Sequence, residues 1–216
     1  MYKRQKSLLR ELDHRVRNNL SGLLGMIRLY QASATDVASI ADAVRDKVLA
    51  LKEVHDLASQ AAGREVGLDA LIQTMVNGFV PAARTAAVSA HGPAVHLEGN
   101  QAASMAMVLQ ELFTNSAKYG ALTSPVGRIE VRWTSAQMAD HQRIDILWQE
   151  SGVALTARPN PPRRGVGLTL IEGLCRSDLR GGCQIRFRPT GLEAAIYAAI
   201  KPSSVGWAAS RELAAA

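Results

Sequence analysis

The first residue that could do chemistry is His14, near the start of a long helical pattern. Leu9 and Leu12 belong to the predicted buried seam, so His14 falls two positions further on, on the outward face. An exposed imidazole can act as a nucleophile when one ring nitrogen is free and the other is held by a hydrogen bond. Asp13 can orient that ring proton, and Arg15 can stabilise an arriving phosphoryl group. A surface histidine on a helix is also an ordinary residue, so this spacing alone decides nothing.

A second polar set lies in the segment LQELFTNSAKYGAL, residues 109–122. Steps of four, three and one along a helix place four polar side chains on one face: Glu111, Asn115, Lys118 and Tyr119. An asparagine carbonyl is a suitable hard ligand for Mg²⁺, and a lysine suits phosphate as a point charge. Glu111 can orient water or the ligand shell of the metal. A plain amphipathic helix with a solvated polar face is the equally weighted alternative.

Two later segments could contact a nucleotide. The period of two in a strand puts Ile146, Trp148 and Glu150 on one side, which predicts Glu150 at the rim of a buried surface. A carboxylate there can accept the exocyclic amine of an adenine, and a capped strand end is the alternative. Gly165 and Gly167 precede a predicted helix, whose free N–H groups can face a phosphate. Glycines before helices are common, so this signal is weak by itself.

Two long helices must position His14. Apolar residues recur at steps of three and four from Leu9 to Tyr30, and a second series runs from Val37 to His55. They predict an antiparallel hairpin, with Thr35 or Asp36 as the N-cap of the second helix. Such a hairpin cannot bury both apolar seams alone. We therefore expect it to pair with a second copy into a four-helix bundle, or to pack against the rest of the chain.

Shorter elements follow from Gly63 and predict an α+β layer, a mixed or antiparallel sheet with helices on one face. Three helices are predicted, at Leu68–Phe79, Gln101–Gly120 and Leu168–Arg176. Strands are predicted at Ala87–Ala90, Val95–Leu97, Arg128–Trp133, Arg143–Trp148, Cys183–Arg188 and Leu192–Ile200. The resulting division is a hairpin at 1–62, an α+β layer at 63–202 and a tail at 203–216.

The amino-acid composition excludes several classes of protein function. Of 216 residues, 47% are apolar and 20% charged, which supplies a packed core and argues against disorder. Two cysteines exclude a disulfide framework and a four-cysteine metal site. No apolar run reaches the ~20 residues that span a bilayer, and no secretory signal is visible, so we expect a cytoplasmic protein without a membrane segment. The net charge of +6 is scattered, which does not favour nucleic acid as a partner.

Four segments, ELDHRVRNNL, LQELFTNSAKYGAL, WQESG and GVGLTLIEGL, occur in this order along residues 7–200. Together they resemble the sensor histidine kinases of the HWE family and its close relatives. The resemblance implies that 1–62 is a dimerisation and histidine-phosphotransfer hairpin. It also implies that 63–202 is an ATP-binding α/β sandwich of the GHKL (Bergerat) type.

The resemblance also implies residue roles. His14 corresponds to the phosphoacceptor, with Arg15 and Asn18 as its motif companions, and Asn115 corresponds to the asparagine that coordinates Mg²⁺. The other correspondences are Glu111, Lys118 and Tyr119 in the asparagine motif, Trp148 and Glu150 as the W-x-E pair that replaces the usual adenine-binding aspartate motif, and Gly165 and Gly167 beside the ATP lid. The chain departs from the family pattern at two places. Gln110 stands where the family has a histidine, and Ser151-Gly152-Val153 gives one glycine where the family has a Gly-Gly-Pro-like stretch. Gly152 is still assigned to the nucleotide-binding residues.

The function implied is that of an ATP-dependent protein-histidine kinase. Mg²⁺-ATP would phosphorylate His14, and the phosphoryl group would pass to an aspartate of a response-regulator receiver domain. A homodimer through the hairpin is expected, with input from a separate sensor protein or a missing sensor domain. The main alternative is a non-catalytic phosphotransfer or scaffold protein with a degenerate ATP site. A serine kinase that binds a sigma-factor antagonist ranks last, because it has no use for the hairpin.

Overall fold

The computed structural model describes residues 65–153 and 166–200, together with Arg45. The predicted hairpin and the tail lie outside the described residues. The same holds for five predicted site residues: Asp13, His14, Arg15, Asn18 and Gly165. The dimer interface expected of the hairpin therefore stays a prediction.

The described part alternates helices with short and long strands. The helices are α1 (Leu68–Phe79), α2 (Gly99–Tyr119) and α3 (Val166–Ser177), with 3₁₀ turns at Ala82–Ala87 and Ala121–Thr123. The strands are β1 (Val66–Gly67), β2 (Val88–His91), β3 (His96–Leu97), β4 (Arg128–Gln137), β5 (Gln142–Ser151), β6 (Gly182–Arg188) and β7 (Gly191–Ile200). All three predicted helices are confirmed, α1 with identical bounds. The two-residue strand β1 and the 3₁₀ turns were not predicted, because segments this short show no periodicity.

The main sheet is five-stranded, in the order β2-β4-β5-β7-β6. Strand β2 pairs parallel with β4, whereas the other neighbours are antiparallel. Strand β5 is central, and its Trp148 lies opposite Val131 of β4 and Ala194 of β7. The α+β fold is confirmed, and of the two predicted alternatives, a mixed or an antiparallel sheet, the structure has the mixed one. Strands β1 and β3 form a separate antiparallel pair.

The core lies between the sheet and the helices. Every second residue of β5 is buried, from Ile144 to Glu150, and β4 and β7 alternate in the same way. An aromatic cluster closes the core near the end of β5. The ring of Trp148 meets Phe113 of α2 edge-on, with centroids 4.8 Å apart, and Phe79 of α1 stacks on Phe113 at 5.9 Å. Helix α2 is thereby fixed against the strand that carries Glu150.

Helices α2 and α3 run antiparallel. Near the start of α2, the Ser104 hydroxyl donates to the carboxylate of Asp178 at 2.6 Å, just past the end of α3. Near its other end, α2 places Glu111 and Asn115 beside Gly167 at the start of α3. The first turn of α3 is therefore held against the C-terminal half of α2.

The face of the sheet that points away from the helices carries the polar residues of the alternating strands. Arg132, Arg143 and Tyr197 are exposed there, and the guanidinium of Arg143 lies 5.7 Å from the centre of the Tyr197 ring. In the ranges 65–153 and 166–200, no helix has the length and apolar character needed to cross a membrane.

Candidate functional site

The four polar residues of α2 do not share one environment. Glu111 is buried, with 4% of its surface exposed, and Asn115 is half-buried. Lys118 and Tyr119 are exposed, Tyr119 at 54%. A plain amphipathic helix would expose the whole polar stripe to solvent, so that alternative is wrong for Glu111. Gln110, at the position that departs from the family pattern, is also buried.

Gly167 in the first turn of α3 fits closely against this stripe. A Cβ atom at Gly167 would lie 2.4 Å from Oε2 of Glu111 and 3.8 Å from Nδ2 of Asn115. Any side chain larger than hydrogen would therefore have to displace the Glu111 carboxylate. The absence of a side chain lets the first turn of α3 approach the carboxylate and the amide.

Glu150 lies deeper than the rim position that strand alternation predicted. Only 6% of it is exposed. Its Oε2 accepts the backbone N–H of Ala121 at 3.0 Å, and its Oε1 accepts the indole N–H of Trp148 at 3.3 Å. Glu150 thus joins the 3₁₀ turn that follows α2 to the end of β5.

Burial raises the pKa of Glu150 above its ordinary value, because a charged carboxylate is poorly solvated inside the protein. The hydrogen bonds from Ala121 and Trp148 oppose this shift, since each of them stabilises the charged form. The desolvation effect is the larger of the two. A buried carboxylate with a perturbed pKa at the end of a strand is a candidate functional group, although structural networks have the same property.

Trp148 is placed differently from a base-contacting residue. The side chain is fully buried, and its ring packs edge-on against Phe113. Its one polar atom donates to Glu150. The structure therefore gives Trp148 a part in orienting Glu150, and its predicted direct contact with a nucleotide is not supported by this placement.

Gly152 has a backbone requirement of its own. Its φ is +75°, in the left-handed region that favours glycine, and a Cβ there would lie 2.5 Å from the carbonyl oxygen of Val126. Gly152 therefore ends β5 in a tight turn against the loop that precedes β4. A role in contacting a nucleotide stays a prediction.

Sequence reasoning missed three residues that build this site. Ser116 is fully buried, and its Oγ accepts the backbone N–H of Leu122 at 3.3 Å. Gly120 leaves room for the carboxylate of Glu150, since a Cβ would lie 2.1 Å from Oε2. Ser116 and Gly120 both occur inside the asparagine motif, so their position was a usable signal.

Arg84 is the third missed residue. Its guanidinium donates to the carbonyl oxygens of Leu122 at 2.9 Å, Ser124 at 2.7 Å and Gly127 at 3.4 Å. It fixes the loop that joins α2 to β4 and that includes Ala121, a partner of Glu150. No local sequence signal pointed to Arg84, because its partners are backbone atoms about 40 residues away.

The side chains at the end of α2 suit a magnesium-bound phosphate ligand. Asn115 offers a hard amide oxygen, Lys118 offers a cation, and the first turn of α3 offers backbone donors. Mg²⁺ takes few protein ligands and completes its shell with water and phosphate oxygens. Among the described residues no group of three His, Cys, Asp or Glu side chains could hold a metal alone.

Comparison with known proteins points to one family. A family model described as HWE histidine kinase matches residues 11–94. A protein named blue-light-activated histidine kinase 1, from Erythrobacter litoralis, is 31% identical over 199 residues. A blue-light-activated histidine kinase from Rhizobium johnstonii is 31% identical over 188 residues. These matches cover 89% and 86% of this chain, but 52% and 51% of the relatives, so the chain spans about half their length.

Solved structures agree on the fold. The histidine kinase domain of an Erythrobacter litoralis blue-light activated histidine kinase superposes with a TM-score of 0.55 at 17% sequence identity. The match covers 88% of this chain and 93% of that domain. A longer structure of that kinase gives a TM-score of 0.57 and is covered over 59% of its length. At this identity the likeness concerns the fold.

Proposed function

The chain belongs to the HWE family of histidine kinases or to a close relative of it, and from this premise we propose that it is an ATP-dependent protein-histidine kinase. In this proposal the described sandwich binds Mg²⁺-ATP and His14 is the phosphoacceptor. Phosphate would then pass to an aspartate of a response-regulator receiver domain. Use of cellular ATP places the reaction in the cytoplasm.

One observation carries the proposal for the nucleotide site. Gly167 brings the first turn of α3 against both Glu111 and Asn115, although more than 50 residues separate them in the sequence. A helix N-terminus supplies donors for phosphate, and an asparagine supplies a metal ligand. Glycine at 167 is what permits both within one small space. A chance amphipathic helix would not need this close approach.

The transfer step requires positioning more than covalent help from the protein. A ring nitrogen of His14 would attack the γ-phosphorus, so that a P–N bond forms while the P–O bond to ADP breaks. Asp13 would receive or orient the proton of the other ring nitrogen, and Arg15 would compensate phosphoryl charge. Asn115 would hold Mg²⁺, which neutralises charge on phosphate oxygens, and Lys118 would contact phosphate directly. Transfer to the receiver aspartate reverses the bond change at His14.

The assembly follows from the same proposal. A hairpin with two apolar seams would pair with a second copy, which gives a homodimer that presents two His14 residues. The curated relatives are named for activation by blue light, and the chain spans about half their length. We therefore propose that the stimulus is sensed by a module outside these 216 residues, in the same or a separate protein.

The test is labelling with γ-³²P-ATP and Mg²⁺, comparing the full chain with His14→Ala and Asn115→Ala. We expect an acid-labile, alkali-stable label on the wild type, none on His14→Ala, and a loss of at least about 100-fold for Asn115→Ala. Two matched controls are available. His91→Ala changes an exposed histidine elsewhere in the chain, and Asn77→Ala changes an exposed helical asparagine whose partner is Gln73.

Both control variants should label like the wild type. An unlabelled wild-type chain, or full labelling of His14→Ala, would contradict the kinase proposal. Labelling by a mixture of His14→Ala and Asn115→Ala chains would additionally show that one copy phosphorylates its partner.

A non-catalytic phosphorelay protein is the second candidate. The observation that favours it is that Glu150 already accepts hydrogen bonds from Ala121 and Trp148, which leaves fewer of its lone pairs for a base. Calorimetry with Mg²⁺-ATP separates the two candidates. Binding supports the kinase, and the absence of binding together with phosphate exchange between receiver domains supports the relay.

A further inference from the structure

The outward face of the main sheet has an apolar centre. Among the residues of β5 that point to this face, Leu147 is the apolar one and the others are polar. Leu147 lies opposite Ala195 of β7 and Arg132 of β4. Ala195 and Arg132 are exposed and Leu147 is half-buried, so among the described residues nothing covers this centre. A depression of about 550 Å³ is lined by these three residues and their neighbours.

Tyr197 forms one wall of the depression. It lies opposite Gly182 of the edge strand β6, and a Cβ at Gly182 would lie 2.7 Å from the Tyr197 hydroxyl oxygen. The ring therefore leans over Gly182, toward the edge of the sheet, and leaves Ala195 exposed. The guanidinium of Arg143 lies 5.7 Å from the ring centre and helps to hold the ring there. An aromatic wall beside an apolar floor suits an aromatic side chain.

The charged residues around the depression bind one another. Arg132, which forms the other wall, donates to Oε1 of Gln149 at 2.8 Å and lies 3.3 Å from a carboxylate oxygen of Glu130. Arg143 donates to Asp145 at 2.7 Å. The rim therefore neutralises its own charges, and the surface that remains for an occupant is apolar. We call this surface the outer groove, and it consists of two floor residues and two walls: Leu147, Ala195, Tyr197 and Arg132.

Sixteen residues of the chain follow Ile200, the last residue of β7, and they lie outside the described residues. Trp207 is the only aromatic residue among them. Pro202 has no N–H to donate to a sheet, so it stops β7 from continuing. Ser203 and Ser204 come next, and serine and proline are common in turns. The sequence after β7 therefore favours a change of direction before Trp207.

The length of this segment matches the distance to the outer groove. Ala195 lies five residues before Ile200 on β7, which is about 17 Å along the strand. Trp207 lies seven residues after Ile200, and an extended chain of that length spans about 23 Å. The segment can therefore turn back and place Trp207 over Ala195. The other face of the sheet carries the core and the helices, so the outward face is the one open to it.

We propose that residues 201–216 fold back over the outward face of the sheet and that the indole of Trp207 docks in the outer groove. A second copy of the chain fits this surface less well, because a stable interface takes about 20–30 residues a side and the groove has a floor of two. A tethered segment needs less contact, since the tether gives it an effective concentration in the mM range. The inference does not depend on the kinase proposal, because the groove lies on the sheet face opposite to Glu111 and Asn115.

The first arm of the test is limited digestion of the full chain with chymotrypsin, which cleaves after accessible aromatic residues. Mass spectrometry follows cleavage between Trp207 and Ala208. At low protease concentration the cleavage rate follows the population of the undocked segment. Ala195→Lys fills the floor of the groove at an exposed strand position, and it should accelerate this cleavage by at least about tenfold.

Ala136→Lys is the matched control. Ala136 is also an exposed alanine at an outward strand position, but it does not line the groove. This variant should cleave after Trp207 within about twofold of the wild-type rate. Cleavage after Trp148, which is fully buried, reports unfolding and should not differ between the two variants. Equal rates after Trp207 in the wild type and Ala195→Lys, or equal acceleration in both variants, would overturn the proposal.

The second arm observes the contact directly. Nuclear Overhauser effects are recorded on the full chain between the indole protons of Trp207 and the methyl protons of Ala195 and Leu147. We expect both contacts in the wild type, and we expect the contact to Leu147 to disappear in Ala195→Lys. The absence of both contacts in the wild type would contradict docking.

A mixture of isotopically labelled and unlabelled chains identifies the occupant. Contacts that arise only within one chain support the proposal. Contacts between a labelled and an unlabelled chain would show that the outer groove takes the segment of a second copy, which would overturn the fold-back within one chain.

Discussion

Each end of helix α2 lies beside a carboxylate, and the two carboxylates are held in different ways. At the start of α2, Ser104 donates to Asp178, which also accepts the hydroxyl of Ser177 at 2.6 Å and is half-buried. Just past its other end, the backbone N–H of Ala121 donates to Glu150, which is buried and also accepts the indole N–H of Trp148. The first carboxylate joins two helices, whereas the second joins the turn after α2 to the central strand beside the proposed nucleotide site.

The difference separates a carboxylate that only links two elements from one that is a candidate functional group. Asp178 accepts hydrogen bonds from the hydroxyl groups of two serine side chains, so replacing Asp178 would lose only those contacts. Glu150 is surrounded by backbone, and two glycines leave space for it. A carboxylate that is desolvated, with the backbone shaped around it, is one that the fold is built to hold. Three predictions test this contrast.

The largest effect is expected for Gly120→Ala. The new Cβ would contact both the carboxylate of Glu150 and the Cα of Ser116, and the second contact cannot be relieved by a side-chain rotation. We expect a loss of about 3 kcal/mol in the free energy of unfolding, measured by urea denaturation. Gly173→Ala is the matched control, because nothing lies within 4 Å of a Cβ at that position in α3. It should stabilise by about 0.5–1 kcal/mol, and equal effects of the two substitutions would contradict the close fit at Gly120.

A smaller effect is expected for Arg84→Ala, which removes three bonds to the loop that carries the backbone partner of Glu150. The expected loss is about 2 kcal/mol, because hydrogen bonds from a charged donor to partly buried carbonyls are among the stronger ones. Arg84→Lys should recover only part of it, since an ammonium cannot match the planar fork. Denaturation of both variants is compared with Arg132→Ala on the exposed sheet face, expected to cost less than about 1 kcal/mol. A similar cost for Arg132→Ala would argue against a special role for Arg84.

The smallest expected effect concerns how two carboxylates make the stability of the fold depend on pH. Burial raises the pKa of Glu150, so just above its ordinary pKa the folded chain keeps a proton that the unfolded chain has lost. Its contribution to stability therefore falls as the pH rises through that window and is constant above it. The pKa of Glu193 is lowered, first by its hydrogen bond from Arg188, so its contribution is lost as the pH falls.

Melting temperatures of the wild type, Glu150→Gln and Glu193→Gln between pH 3 and 8 check both signs. The melting temperature of the wild type minus that of Glu150→Gln should decline with rising pH. The melting temperature of the wild type minus that of Glu193→Gln should increase with rising pH. A rising difference for Glu150→Gln would mean that hydrogen bonding outweighs desolvation at that carboxylate. Desolvation of the carboxylate would then no longer be a difference between the two ends of α2.

Much of the fold could be predicted because long elements leave periodic patterns. Helix α1 was predicted with its observed bounds, and strand β5 showed clear alternation from Ile144 to Trp148. The position of Glu150 could not be predicted as closely, because alternation gives the face of a residue and not its depth. Its depth depends on Gly120 and Gly191, which lie 30 and 41 residues away in the sequence.

The sequence by itself determined the element order, the sheet-and-helix class, and the residue types that resemble a histidine kinase, because these depend on local periodicity and on motif letters. Only the tertiary structure decided which of those residues meet. It placed Gly167 against Glu111 and Asn115, put Trp148 in the core, and supplied Glu150 with two donors from the chain. The physical reason is that burial and hydrogen bonding across long sequence separations depend on how helices and strands pack, and no local pattern records that packing.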